Sequence, residues 1–302
     1  MKTLSIRGRS REDLLAIPPV VLGYHPEDSV VVLALYDGVL LMSARIRHDW
    51  HLEHHEETFA QLSAAIDNIP GCRFALLSYG ERERASVSLL ELADIIGHHL
   101  VLEALVTDGK RSWDLGTGDP PEPYRFEDTA VAAQAVFNGV SIARNREEAI
   151  APVVEHEAPN PTLVAIAEDK VARLSPKRAM ARMSRLVEQE RALTPATAVE
   201  LAVFLDDDER MVSVLAALNR ENADRVWRNL VSARRLCPPG CEANVLALLT
   251  AASWLSGRGA VQTACLEQLA ELDPRHVVGR MMADLHRRGA PPSRLSEEEA
   301  EE

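Results

Sequence analysis

The sequence predicts an α/β domain, a mixed sheet with hairpins, followed by an all-α domain that contains a tetratricopeptide-like (TPR-like) helical hairpin. Three observations carry this prediction. The first half alternates strand-length β-branched runs with helical apolar periods, the second half keeps the helical period throughout, and the Pro-containing stretch 151–161 (APVVEHEAPNP) separates them. The expected division is an α/β domain at 1–150, a linker at 151–161, a helical domain at 162–292 and an acidic disordered tail at 293–302. A chain of 302 residues suits two domains at roughly 100–200 residues each.

In chain order, Ser10 caps a short helix carrying Glu12 and Asp13 in its first turn, which Pro18-Pro19 is expected to stop. Gly23 to Ser29 (GYHPEDS) reads as a turn. Val30 to Tyr36 is a β-branched strand apolar on both faces and therefore central. Asp37-Gly38 is a two-residue hairpin signal, with Val39 to Arg47 as the returning strand. A helix over 51–69 ends at Pro70-Gly71, and Arg73 to Tyr79 is the next strand. Then follow a helix from Arg82 to His98, a strand from Leu100 to Thr107, a second turn at Asp108-Gly109 and its partner from Lys110 to Leu115. Gly116 to Tyr124 (GTGDPPEPY) is too rich in Gly and Pro for regular structure, and a helix follows near Asp128 to Asn138.

Beyond the linker, Ser175-Pro176 and Thr194-Pro195 each place a capping residue before a proline at the first helical position. Helices are expected at 161–174, 176–192, 195–205, 208–219, 222–235, 241–256, 259–272 and 275–288, with no strands. Ala260, Ala264, Leu266, Leu269 and Ala270 before Asp273-Pro274 suggest a single degenerate TPR-like unit, because no 34-residue period extends backward.

The net charge of −13 is unevenly spread. Residues 1–150 hold 14 Lys and Arg against 23 Asp and Glu, whereas the second half without its Glu297–Glu302 run is close to neutral. An acidic domain repels a phosphate backbone, so broad nucleic-acid binding is not expected. The local exception is the stretch Lys170, Arg173, Lys177, Arg178, Arg182 and Arg185, which contains no acid. It reads either as an anion-facing stripe or as a solvated helix face answered by Glu168, Glu188 and Glu190. No apolar run reaches the roughly 20 residues of a membrane span, and the first fifteen residues lack a signal-type apolar core. A cytoplasmic protein is therefore expected, and Cys72, Cys237, Cys241 and Cys265, too few for a disulfide scaffold, are read as reduced thiols.

Chemical motifs are sparse. His51 and His55 have an i, i+4 spacing, but HLEHH shows no third ligand, and Cys237-Pro-Pro-Gly-Cys241 lacks a second pair; no metal and no cofactor are expected. There is no nucleophile elbow, no phosphate loop and no dinucleotide fingerprint in a strand-turn-helix context. What remains are polar groups at strand ends, where sheets place ligands. His25 and Asp28 are the acid–base candidates. Tyr24, Ser29, Arg45, Lys110, Arg111 and Trp113 are the ligand-contact candidates, with Tyr79 and Asp108 nearby. Pro26 and Asp28 as turn formers with Ser29 as a cap account for the first group without any ligand.

The segment from Asp13 to Leu33 (DLLAIPPVVLGYHPEDSVVVL) resembles the opening of the actinobacterial family DUF4192. Val106 to Trp113, Leu205-Asp-Asp with Arg210, and Leu246 to Pro274 agree in the same order. The resemblance implies an actinobacterial or actinobacteriophage origin, a cytoplasmic protein, and an α/β half joined to a helical half. Relatives commonly carry two tryptophans and a cysteine-containing loop at the second hairpin. This chain has Trp113 and no cysteine from Asp114 to Tyr124.

The functional expectation is a non-enzymatic binding or adaptor protein whose helical half meets a protein partner. The first alternative is an enzyme or sensor that holds an anionic small molecule such as a nucleotide in the α/β half. The second is a nucleic-acid-associated protein acting through Lys170–Arg185.

Overall fold

The computed structural model describes residues 7–290, so the expected acidic tail at 293–302 lies outside the described residues. The described residues form two compact units: 7–146 together with 285–290, and Glu147–Asp284.

In the first unit, α1 (Arg11–Leu22) is capped by the Ser10 side chain and closed by left-handed Gly23. Pro18 and Pro19 lie inside this helix instead of stopping it. A proline at 19 supplies no N–H to the carbonyl of Leu15 four residues earlier. The Tyr79 hydroxyl donates to that carbonyl at 2.7 Å, which replaces the missing bond. No local pattern announces such a substitute.

Strands β1 (Ser29–Tyr36) and β2 (Val39–Arg47) form the expected hairpin. Asp37 and Gly38 both have positive φ, 48° and 76°, as a primed turn requires. The expected helix over 51–69 is two helices, α2 (His48–Glu53) and α3 (His55–Asp67), separated at His54, whose backbone leaves the helical region. The i, i+4 relation of His51 and His55 therefore does not hold on one continuous helix. β3 (Arg73–Tyr79), α4 (Arg82–Ile96), β4 (Val101–Thr107) and β5 (Arg111–Asp114) follow within a residue or two of expectation. Two elements were not expected. Glu122–Pro123 is a short edge strand, β6, paired with β5, so the Gly/Pro-rich stretch is partly regular. After α5 (Ala130–Phe137), helix α6 (Arg146–Val154) holds Pro152 in its interior and occupies the start of the expected linker.

The sheet order is β2-β1-β3-β4-β5-β6, and only β3 and β4 run parallel among its neighbouring strands. β1 and β3 are central and buried on both faces. On one face Val30, Val32, Phe74 and Leu76 pack beneath Leu89 and Leu92 of α4. On the other, Val31, Leu33 and Leu77 pack with Leu15 of α1, beside a cluster in which Ala16 and Val20 meet Val131 and Ala135 of α5. Strong alternation is absent from these strands because both faces are covered.

The second unit contains all eight helices expected beyond the linker: α7 (Pro161–Arg173), α8 (Pro176–Val187), α9 (Pro195–Leu205), α10 (Asp208–Ala217), α11 (Ala223–Arg235), α12 (Glu242–Leu255), α13 (Gly259–Leu272) and α14 (Val277–Arg287), whose last turn extends past Asp284. No strand occurs in it among the described residues. Helix α12 is buried without interruption from Asn244 to Ser253, the signature of a central helix surrounded by neighbours. It packs against α9, α10, α11 and α13. Gly279 of α14 permits a close approach to α13, since a Cβ there would lie 2.7 Å from Leu269 Cδ2.

Candidate ligand cleft at the strand ends

Because β3 and β4 are parallel, their carboxyl ends lie side by side, with Tyr79 opposite Thr107. Antiparallel β1 brings its first residue, Ser29, opposite Tyr79 and carries the preceding turn to the same edge. Ligands of open α/β sheets collect at this edge. The backbone there is closely fitted. Gly80 N–H donates to Thr107 O at 2.9 Å, and a Cβ at Gly80 (φ 139°) would meet Asp28 Oδ1 at 2.8 Å.

A cleft of about 160 Å³ opens on the α1 side of this edge, lined by His25, Tyr79, Thr107, Tyr124, Phe126 and Glu127, with Pro19, Pro26 and Gly109 completing its wall. Each side chain is placed by a separate restraint. His25 N–H donates to Ala143 O at 3.1 Å, and its ring meets Phe126 edge-on at 4.8 Å. Tyr124 N–H donates to Lys110 O at 2.9 Å. Phe126 and Glu127 belong to a 3-10 turn held against α5, whose first N–H groups are capped by Thr129 and by Asp13 of α1. Two hydroxyls of the cleft are engaged by the backbone, Tyr79 on Leu15 O and Thr107 on Arg111 O. Burial pushes both phenols above the ordinary tyrosine range, Tyr79 with its neighbour Tyr124 adding to the rise and Tyr124 with Glu127 adding to it. Neither ionises near neutral pH. Among the described residues lining the cleft, Glu127 is the one carboxylate and there is no Lys or Arg.

The candidates read from sequence do not converge on one place. His25 lines the cleft, and the remaining acid–base and contact candidates do not. Tyr24 is buried and bridges to Ala143, with the Arg45 guanidinium 5.9 Å from its ring. Arg45 also donates to Ser29 Oγ and Glu27 O, both at 3.1 Å, so Tyr24, Ser29 and Arg45 form one bracket around the turn. Lys110 and Arg111 are exposed, and their backbone N–H groups are held by Asp108 Oδ1 at 2.8 and 2.7 Å. Trp113 lies in the core on the α4 face, 8% exposed, with the Arg82 guanidinium 5.3 Å from its ring.

Asp28 (φ 42°) is exposed, and its backbone carbonyl meets a buried histidine. His48 is fully buried, donates its backbone N–H to Asp28 O at 2.9 Å and shares a 3.0 Å hydrogen bond between Nε2 and Ser78 Oγ. Its Nδ1 is buried without a hydrogen-bond partner. Burial lowers the His48 pKa to about 4, assisted by Arg84 and opposed by Asp28. Sequence reasoning passed over His48 as one histidine of a polar helix start, and it passed over Tyr124, Phe126 and Glu127. Only strand pairing brings those three to His25. The available signal was the scarcity of aromatic residues, which makes two within three positions unusual.

The basic stretch of the second unit is interrupted, since α7 ends at Arg173 and α8 restarts at Pro176. Lys170 Nζ (2.7 Å) and Arg182 Nε (3.0 Å) both engage the buried carboxylate of Glu200, while Arg173 pairs with Asp169. Burial alone would raise the Glu200 pKa, but the bonds from Arg182 and Lys170 outweigh it and hold the carboxyl below its usual range. Glu188 and Glu190, expected to answer the stretch, pair with Arg225. Lys177, Arg178 and Arg185 remain exposed.

All four cysteines are free; burial raises the Cys237 thiol, and burial with Asp206 pushes Cys241 up to about 11. Among the described residues, no group of three or more His, Cys, Asp and Glu could hold a metal ion, and no helix is long and apolar enough to cross a membrane.

Comparison with protein families matches residues 12–293 to DUF4192, described as a domain of unknown function. Neither a curated protein nor a solved structure matches the chain.

Proposed function

We propose that this chain, which belongs to the DUF4192 family, is a ligand-binding protein whose α/β unit receives a small molecule in the strand-end cleft. The observation that supports this reading is the convergence of His25, Tyr124, Phe126 and Glu127 from separate segments onto a concave site at the end of the parallel strand pair. Binding is favoured over catalysis because two of the cleft's three hydroxyls, those of Tyr79 and Thr107, already donate to backbone carbonyls, and because Asp28 does not line the cleft with His25. The cleft also suits the nucleotide-like anion less than the sequence suggested. Arg45 is engaged by Ser29, Glu27 and Tyr24, and about 160 Å³ is small beside the roughly 300–1,000 Å³ of most ligand pockets.

The test is ligand-observed NMR of the full chain against a panel of small anions, neutral molecules and cations, with Phe126→Leu as the cleft variant. Binding by at least one class, lost in Phe126→Leu and without conversion of the bound compound, is the expected result. No binding by any class overturns the reading, and turnover replaces it with an enzyme.

A second reading concerns the helical unit, which we read as a partner-binding surface built on a TPR-like α13–α14 hairpin. Its support is an apolar stripe at the end of α13 and along α14: Leu272, Val277 and Met281 are 54%, 81% and 47% exposed. A Val277→Glu/Met281→Glu variant should lose any protein that wild type retains, at unchanged melting temperature. Retention of the same partner by the variant removes this surface from consideration. Four free thiols, three of them buried, support a cytoplasmic site of action for both readings.

A further inference from the structure

We propose that the strand-end cleft selects an organic ammonium group, with an alkylated ammonium as the best-fitting class. This inference rests on the ligand-binding reading above and adds the chemistry of the ligand. The chain is poor in aromatic residues, with 5 Phe, 4 Trp and 4 Tyr in 302 positions. Three of these, Tyr79, Tyr124 and Phe126, line one cleft of about 160 Å³, and His25 stands edge-on to Phe126 within it. Aromatic faces carry negative quadrupolar charge and attract cations that approach a ring to within about 6 Å, which is the physical basis of aromatic cages.

Each remaining feature of the wall discriminates in the same direction. Pro19 and Pro26 add apolar surface suited to methyl groups, and Glu127 adds the one carboxylate among the described lining residues. No lining Lys or Arg competes for the rings or attracts an anion. The Tyr79 and Thr107 hydroxyls are engaged on Leu15 O and Arg111 O, so they offer little to a ligand that needs several hydrogen bonds. An alkylated ammonium needs few or none. Residues 1–150 carry a net charge of −9, which raises the local concentration of a small cation. The cleft volume accommodates a head group of this kind and is small for a whole nucleotide.

The experiment is a titration of the full chain with tetramethylammonium and, separately, with tert-butyl alcohol as a neutral molecule of similar shape, at constant ionic strength. Backbone amide shifts of residues 24–26 and 124–127 are followed. Tetramethylammonium should shift these amides saturably and bind about tenfold more tightly than the alcohol. Phe126→Leu, a change at a half-buried ring, should weaken the cation about fivefold, Phe126→Tyr should preserve it, and Glu127→Gln should weaken it by a smaller factor. Equal affinity for the cation and the alcohol overturns the ammonium assignment and leaves the binding reading standing. Absence of binding by both probes and by the panel above overturns both. Cation binding that is unchanged in Phe126→Leu and Glu127→Gln overturns the placement.

Discussion

His48 provides a perturbation whose size follows from its surroundings. The imidazole is fully buried beside Ser78, and burial takes its pKa from 6.5 to about 4. A histidine depressed in the folded state binds its proton more readily when unfolded. Stability is therefore complete above pH 6.5, falls as pH decreases through the interval between the two pKa values, and levels off below about 4. At 1.36 kcal/mol per pKa unit the full loss is about 3 kcal/mol, and the part between pH 7.5 and pH 5 is about 2 kcal/mol. The assay is urea unfolding with 5-fluorotryptophan labelling, reading the Trp113 resonance because Trp113 reports on the core under α4. Wild type should lose about 2 kcal/mol more than His48→Gln between the two pH values, even though the glutamine variant starts from lower stability. A folded-state titration of the His48 ring by NMR with midpoint at or above 6 refutes the reasoning, and so does an equal loss in both proteins.

The Tyr79 bond to Leu15 O gives a paired prediction: Tyr79→Phe should cost about 1–3 kcal/mol by leaving a buried carbonyl unsatisfied, and adding Pro19→Ala should recover part of the loss by restoring a helical N–H. Urea unfolding of the single and double variants measures this, and a double variant no better than Tyr79→Phe contradicts it. In the helical unit, Glu200→Ala removes the buried carboxylate and returns the partly exposed Arg182 and Lys170 to water, which should cost about 1–2 kcal/mol, whereas Asp169→Ala, which removes only an exposed pair, should cost under about 0.5 kcal/mol. Similar losses for the two variants in thermal unfolding would show that the Glu200 cluster is not the anchor described.

The legible features were those encoded within a few residues. Asp37-Gly38 specified a primed turn, and Ser175-Pro176 and Thr194-Pro195 specified helix starts, because cap and turn chemistry acts on neighbouring backbone groups. Pro18-Pro19 misled for the complementary reason. Part of a proline's cost in a helix is the carbonyl it leaves without a donor, and the donor that serves Pro19's abandoned carbonyl is 64 positions away. The strand at Glu122–Pro123 likewise depends on a neighbour supplied by pairing. The acid that engages two members of the basic stretch, Glu200, could not be named in advance because it lies beyond the window in which charges are compared.

The candidate site divides in the same manner. Sequence pointed to the strand ends and to His25, since polar residues at turns before and after apolar runs mark the edge of a sheet. It could not bring Tyr124, Phe126 and Glu127 to His25, nor send Arg45 to Ser29 and Trp113 to the opposite face. Those outcomes follow from the order β1-β3-β4-β5 and from the parallel pairing of β3 with β4. By itself, then, the sequence determined the two-part architecture, most of the elements and their ends, because these depend on local periodicity and capping. The tertiary structure decided which side chains share a cleft, which charges are engaged and which histidine is buried, because those properties depend on pairings between segments far apart in the chain.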